Sequence, residues 1–132
     1  NDLKVTAFKV NHGEIEEAYG YKFETEDKTI VISGDAAPSE SIVEQCNGCD
    51  MLFHEVYSLE KFQLKTPEWK AYHSSYHTST SELAEIATQA RPKLLVLYHQ
   101  IFWGATEEEI LREIQENYNG AVVSGKDLDV FE

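Results

Sequence analysis

Little in this sequence is basic. Eleven Lys and Arg residues stand against 24 Asp and Glu, giving a formal net charge of −13. A surface this acidic repels phosphate backbones unless its bases cluster, and Lys61, Lys65, Lys70, Arg91 and Lys93 are scattered along the chain. Nucleic acid is therefore an unexpected partner for these residues. Cysteine is equally scarce, with Cys46 and Cys49 forming one C-x-x-C. A structural zinc site needs a second such pair, and a thioredoxin-like motif sits between a strand and the helix after it, whereas this one ends a helix. The pair reads as two small buried thiols in a reducing, cytoplasmic compartment. No apolar run approaches membrane-spanning length and no signal peptide opens the chain, so a membrane partner is not expected. Only three Pro and seven Gly accompany 42% hydrophobic content, which excludes a disordered chain. Repeats, low-complexity stretches and interior linkers are missing too. Residues 1–132 therefore read as a single unit, long enough to bury a real core.

What is present centres on Thr29–Pro38. Ile30, Val31 and Ile32 form a β-branched run that predicts a buried strand, Ser33-Gly34 breaks it, and Asp35 lands where it stops. A helix follows over Ser39–Cys46, with Ser41 and Glu44 at capping-box spacing. A carboxylate just past the carboxyl end of a strand lies in the crevice where open α/β sheets bind ligands. Upstream, Lys4–Val10 and Tyr19–Thr25 alternate as strands, and Glu26-Asp27-Lys28 turns the second into the Thr29 strand as a hairpin. Met51–Val56 is apolar on both faces, as an inner strand is. Tyr57–Tyr76 carries Pro67, Trp69, Tyr72 and Tyr76 among polar residues and reads as a flap-like loop with helical turns, His73 on its surface.

Two later helices are clearer. Ser79 with Glu82 caps one whose buried stripe is Leu83, Ile86, Ala87 and Ala90; Thr106 with Glu109 caps another burying Ile110, Leu111 and Ile114. Between them Lys93–Tyr98 is the most apolar strand, closing on His99, and Ala121–Ser124 and Leu128–Phe131 read as short final strands. Strands first, then strands alternating with helices, predict an α/β (α+β) chain with a mixed sheet covered by helices mainly on one face.

Three histidines stand where an apolar strand ends or a helix begins: His12, His77 and His99. With Asp35 they place imidazole and carboxylate groups, the donors zinc takes, along one sheet edge. Taken one at a time, each is equally a capping or core residue.

In order, His12-Gly13, Ala18-Tyr19-Gly20-Tyr21, Ser33-Gly34-Asp35, His54-Glu55, His77-Thr78-Ser79 and Leu95-Val96-Leu97-Tyr98-His99 resemble the metallo-β-lactamase superfamily, most of all its ribonuclease Z and arylsulfatase-like branch. The resemblance implies a metal-dependent hydrolase acting on phosphodiester or other ester bonds, with two divalent metals, zinc or else manganese. It assigns metal-ligand roles to His12, Asp35 and His99, with Asp35 bridging. It makes His77 the group that stabilises the transition state or protonates the leaving group, and Glu55 the residue that orients it. His54 reads as a strand residue without a chemical task. The family's His-x-His-x-Asp-His run occurs nowhere in these residues. The expected fold is thus the carboxy-terminal half of an αβ/βα sandwich, a fragment holding one metal or none and inactive alone. Its partner would be the amino-terminal half or a second copy of itself. The transfer-RNA-gripping insertion of ribonuclease Z is also missing before Gly34-Asp35, which weighs against transfer-RNA processing. The alternatives are a metal-free interaction or dimerisation module of the same half-fold and, last, a receiver-like signalling domain. A receiver needs an acidic pair where Asn11-His12 stand and a Lys where His99 stands.

Overall fold

The computed structural model describes residues 2–132. Six strands form one sheet in the order of the chain: β1 (Lys4–Lys9), β2 (Tyr19–Glu24), β3 (Thr29–Ile32), β4 (Met51–Tyr57), β5 (Leu94–Ile101) and β6 (Val122–Ser124). The first three pair antiparallel as a meander, and β3 to β6 pair parallel. Because β1 and β3 are each antiparallel to β2, the carboxyl ends of β1, β3, β4 and β5 share one edge of the sheet. Parallel neighbours need crossovers. These are supplied by α1 (Glu40–Cys46), by α2 (Leu59–Gln63), α3 (Pro67–Tyr76) and α4 (Thr80–Ala90) in series, and by α5 (Glu107–Gln115).

Three of the helices cover one face. α4 packs between α1 and α5, and its Leu83, Ala84, Ala87 and Ala90 are fully buried. Against them lie Val31, Leu52, Val56, Leu95 and Leu97 of the sheet, together with Ile42, Ile110 and Ile114. Each such aliphatic side chain contributes about 1.5–3 kcal/mol by leaving water. The buried Glu113 ties this layer to the site-bearing segment, accepting from Ser58 Oγ, Leu59 N and Thr80 Oγ1 at 2.6–2.8 Å. The opposite face is open. Val5, Tyr19 and Tyr21 stand exposed on it, and the stretch after β6 folds back across its other half. Phe131 packs edge-on against Phe53 there, over a cavity of about 500 Å³ lined by Ile30, Met51, Val96 and Tyr98.

The structure departs from the sequence-based expectations at several points. Ser41 does not cap α1: Ser39 is the N-cap, and the Ser41 hydroxyl donates instead to Lys9 O at 2.7 Å. Tyr57–Tyr76 forms two helices rather than a loop, each started by an N-cap hydroxyl, Ser58 and Thr66. β5 runs past His99 to Ile101, and Leu128–Phe131 forms no strand, since Asp129 closes a turn onto Lys126 instead. Cys46 and Cys49 are buried but not free thiols; they are joined as a disulfide across the left-handed turn at Asn47-Gly48. Among the described residues no helix is long and apolar enough to cross a membrane.

Candidate metal-binding and acid–base site

Each chemically capable side chain is delivered by a chain break at the shared carboxyl edge. Gly34 ends β3 with φ +68°, and a Cβ there would fall 2.7 Å from Tyr19 O. Only glycine makes that turn, and it releases Asp35 from the sheet plane. Gly13, at φ +56°, ends the β1 side in the same way: a Cβ would collide with the Tyr76 ring at 2.2 Å. The loop therefore seats tightly on the end of α3, with Gly13 N donating to Ser75 O at 2.8 Å.

On β5 the device is a bulge. His54 pairs with Leu97 but Val56 pairs with Gln100, so Tyr98 and His99 together face the single residue Glu55. His99 takes φ +43°, an uncommon backbone for a residue with a side chain. Bulges re-aim side chains beside functional sites. Here His99 Nε2 comes to 3.6 Å from Asp35 Oδ2, both groups about half exposed.

His77 is the carboxyl cap of α3, and its ring lies 5.6 Å from that of His12 and 5.7 Å from that of His99. Its Nδ1 meets Glu55 Oε1 at 2.7 Å. The Glu55 carboxylate is wholly buried and accepts two further N–H groups, from Ala36 at 2.8 Å and Thr78 at 3.2 Å. An acceptor-only carboxylate requires that Nδ1 carry the proton, which leaves Nε2 free. The Glu55 hydrogen bond holds the His77 pKa above the ordinary histidine value; burial opposes, and the charges of Glu55 and Asp35 add to the rise. His12 is oriented by the same logic: Nδ1 lies 2.8 Å from Tyr76 O, to which it can only donate, and Nε2 is left available. An imidazole whose second nitrogen donates to a carbonyl is the usual arrangement of a metal-ligating histidine.

Glu55, His77 and His99 offer ligand atoms within 4.8 Å of one another. Glu55 is already occupied by three N–H donors; outside that cluster Asp35 reaches His99 at 3.6 Å and the His12 ring stands 5.6 Å from that of His77. Nitrogen and oxygen donors of this kind fit a divalent transition metal.

Two features escaped the sequence. His73 is no surface residue of a flap: it is half-buried, with Trp69 at 4.2 Å, Trp103 at 4.9 Å and His77 stacked at 5.8 Å. Lys65 Nζ sits over both indoles, at 5.1 and 5.3 Å. Of these rings His73 alone stacks on His77, with the two indoles behind it, and the group's only legible signal was the clustering of aromatics in Tyr57–Tyr76. The second feature is the β5 bulge, which no residue pattern announces. His54, by contrast, lies on the helix-covered face with Leu52 and Val56, fully buried.

A family model described as a β-lactamase superfamily domain matches residues 1–100. The ribonuclease Z of Thermococcus onnurineus is 35% identical over 102 residues, 77% of this chain and 30% of that protein. The ribonuclease Z of Mycobacterium tuberculosis is 26% identical over 121 residues, 89% of this chain and 44% of that one. Among solved structures, a metallo-β-lactamase fold protein from Bacillus subtilis superposes with a TM-score of 0.75 at 20% identity, covering 94% of this chain and 47% of its own. The short form of human tRNase Z superposes with a TM-score of 0.58 at 25% identity, over 74% of this chain and 36% of its own. The chain thus spans less than half the length of these proteins. A family match over three quarters of the residues, on a sheet whose carboxyl edge gathers imidazoles and a carboxylate, establishes that the chain belongs to the metallo-β-lactamase superfamily, in its ribonuclease Z-like branch.

Proposed function

We propose that this chain carries half of the active site of a metal-dependent hydrolase that cleaves phosphodiester or related ester bonds. The observation that carries the reading is the Glu55–His77 pair: a fully buried carboxylate holding an imidazole at 2.7 Å, beside Asp35 and His99. His12, Asp35 and His99 would hold the metal, zinc in the first instance; the family likeness would make Asp35 the ligand shared with a second ion. When bound there, a divalent cation supplies Lewis acidity and brings the pKa of water down to roughly 7.

The remaining chemistry belongs to the chain itself. With its pKa raised, His77 keeps its proton nearer neutral pH than a free histidine, and Nε2–H is the group that donates. As the ester bond to the leaving oxygen breaks, that proton passes from Nε2 to the oxygen, while Glu55 holds the resulting imidazole in its Nδ1–H form. The ring of His73 stacks on one flank of His77, and Trp103 packs in turn against His73.

A partner contribution belongs to the same reading. The His-x-His-x-Asp-His run is not among these residues, and the exposed Val5, Tyr19 and Tyr21 offer an apolar face on which an amino-terminal half, or a second copy, would pack. The chain alone is then expected to be inactive, and it is not expected to process transfer RNA, given a net charge of −13. The test has two arms. Zinc added to the chain should bind with a heat signal in titration calorimetry that His99→Ala and Asp35→Asn each abolish; no binding at excess zinc sinks the metal assignment. Mixed with a polypeptide bearing the missing run, the chain should hydrolyse bis(p-nitrophenyl) phosphate. His77→Ala should lower that rate by about 100-fold, the lower end of general acid–base contributions.

A further inference from the structure

We propose that His54, with Ser33, is a positioning residue: the two side chains hold the Glu55 peptide after β3 has ended, and so fix the Glu55–His77 pair. β4 needs them for a geometrical reason. In a parallel ladder, alternate residues of a strand direct their backbone groups to the same neighbour. Phe53 O accepts from Ser33 N at 2.9 Å, so two residues further on Glu55 also addresses the β3 side. There β3 has stopped at Ile32, and Gly34 has turned the chain away. The Glu55 N–H is instead taken by Ser33 Oγ at 3.3 Å, and the Glu55 carbonyl accepts from His54 Nδ1 at 2.7 Å. The Ser33 hydroxyl is free to accept because it spends its own proton on Gly34 O at 2.6 Å. On the other side of Glu55 the β5 bulge loosens the register as well. Its backbone therefore depends on two side chains, both completely buried.

The other ring nitrogen shows why an imidazole is there. His54 Nε2 is buried and has no hydrogen-bond partner. A buried polar atom without a partner is a desolvation cost that a leucine of similar size would avoid, beside Leu52, Val56 and Leu97. The ring is retained for Nδ1. From the peptide so held, the Glu55 carboxylate reaches Ala36 N, Thr78 N and His77 Nδ1 together, three donors from two separate loops. A peptide free to rotate would lose all three.

What the Glu55–His77 pair does chemically depends on the hydrolase reading above; where His54 holds it does not. The test therefore needs neither metal nor substrate. In long-range 1H–15N spectra of the wild-type chain, His54 should be the neutral Nδ1–H form with a bare Nε2, and His77 Nδ1–H should give a low-field proton slow to exchange. His54→Leu should make that His77 proton exchange roughly tenfold faster, the factor that goes with one net hydrogen bond, while core amides of Leu95 and Leu97 stay protected. His54→Asn, which keeps an N–H at the same place, should restore it. An Nε2–H tautomer at His54 overturns the proposal. So does an unchanged His77 signal in His54→Leu, or its loss in a folded His54→Asn. If His54→Leu does not fold, the wild-type tautomer and the asparagine variant decide.

Discussion

Burial pushes the pKa of both His54 and His77 down, but only His77 has a carboxylate hydrogen bond that outweighs it. Glu55 raises the His77 pKa, whereas burial lowers that of His54, its backbone acceptor and the Glu55 charge opposing. The consequences for stability have opposite signs. His77 contributes stability that is fully present below the ordinary value of 6.5 and is lost as pH rises through its raised folded pKa. His54 contributes in the reverse sense. As pH falls below 6.5 the unfolded chain takes up a proton the buried ring refuses, and stability drops. Replacing Glu55 by Gln should therefore move the His77 midpoint, followed by NMR of the ring protons, from above 6.5 to below it, since the opposing burial then outweighs the remaining pull of Asp35. A midpoint that stays high in Glu55→Gln would show that Asp35, not Glu55, sets it. The sequence marked His77 and Glu55 as a pair only through family resemblance. Nothing local in His54-Glu55 says which of two neighbouring residues faces His77, because that is decided by where β3 ends.

Among the elements, those whose signals are local were readable. Two of the three capping boxes predicted from sequence are formed: Ser79 with Glu82 on α4, and Thr106 with Glu109 on α5. The one that failed shows the limit. Ser41 and Glu44 have the right spacing, but the Ser41 hydroxyl is drawn to Lys9 O of β1, a partner 32 residues away. α2 and α3 were unreadable for a related reason: neither buries a residue in the helix-covered core, so neither has an apolar stripe. Their aromatics pack on one another and on Trp103 instead. The β5 bulge and the left-handed His99 are likewise products of pairing with β4. The α4 cap joins local signal to site geometry, for Ser79 follows directly on His77-Thr78. Ser79→Ala should cost about 1 kcal/mol in urea denaturation, the usual loss of an N-cap hydroxyl. Because Thr78 N is held separately by Glu55, the His77 Nδ1–H signal should survive it. If that signal disappears with the cap, α4 rather than Glu55 sets the position of His77.

For the whole molecule, the unsettled term is the open face. Val5, Tyr19 and Tyr21 are 50%, 37% and 44% exposed on neighbouring strands, a grouping of large side chains on one sheet face. The sequence foresaw a sheet covered on one side by helices, and the structure adds that residues 125–131 cross only the β4–β6 half of the other side, leaving the meander bare. Two forces then act on a pair of these chains. Burial of the meander draws them together, while a net charge of −13 on each pushes them apart. Salt separates the two, since it screens exposed charge over about 8 Å at 0.15 M and does not weaken apolar burial. Sedimentation velocity should accordingly show self-association that strengthens from low to moderate salt. Val5→Lys with Tyr21→Lys should abolish it with little loss of stability, both positions being solvent-facing. A sheet face that stays monomeric at every salt concentration would mean that the meander is tolerated in water as it stands. Association that weakens with salt would instead place the contact on charged groups such as Lys4–Glu24 and Lys9–Glu17, which lie along the same two strands and their connecting loop.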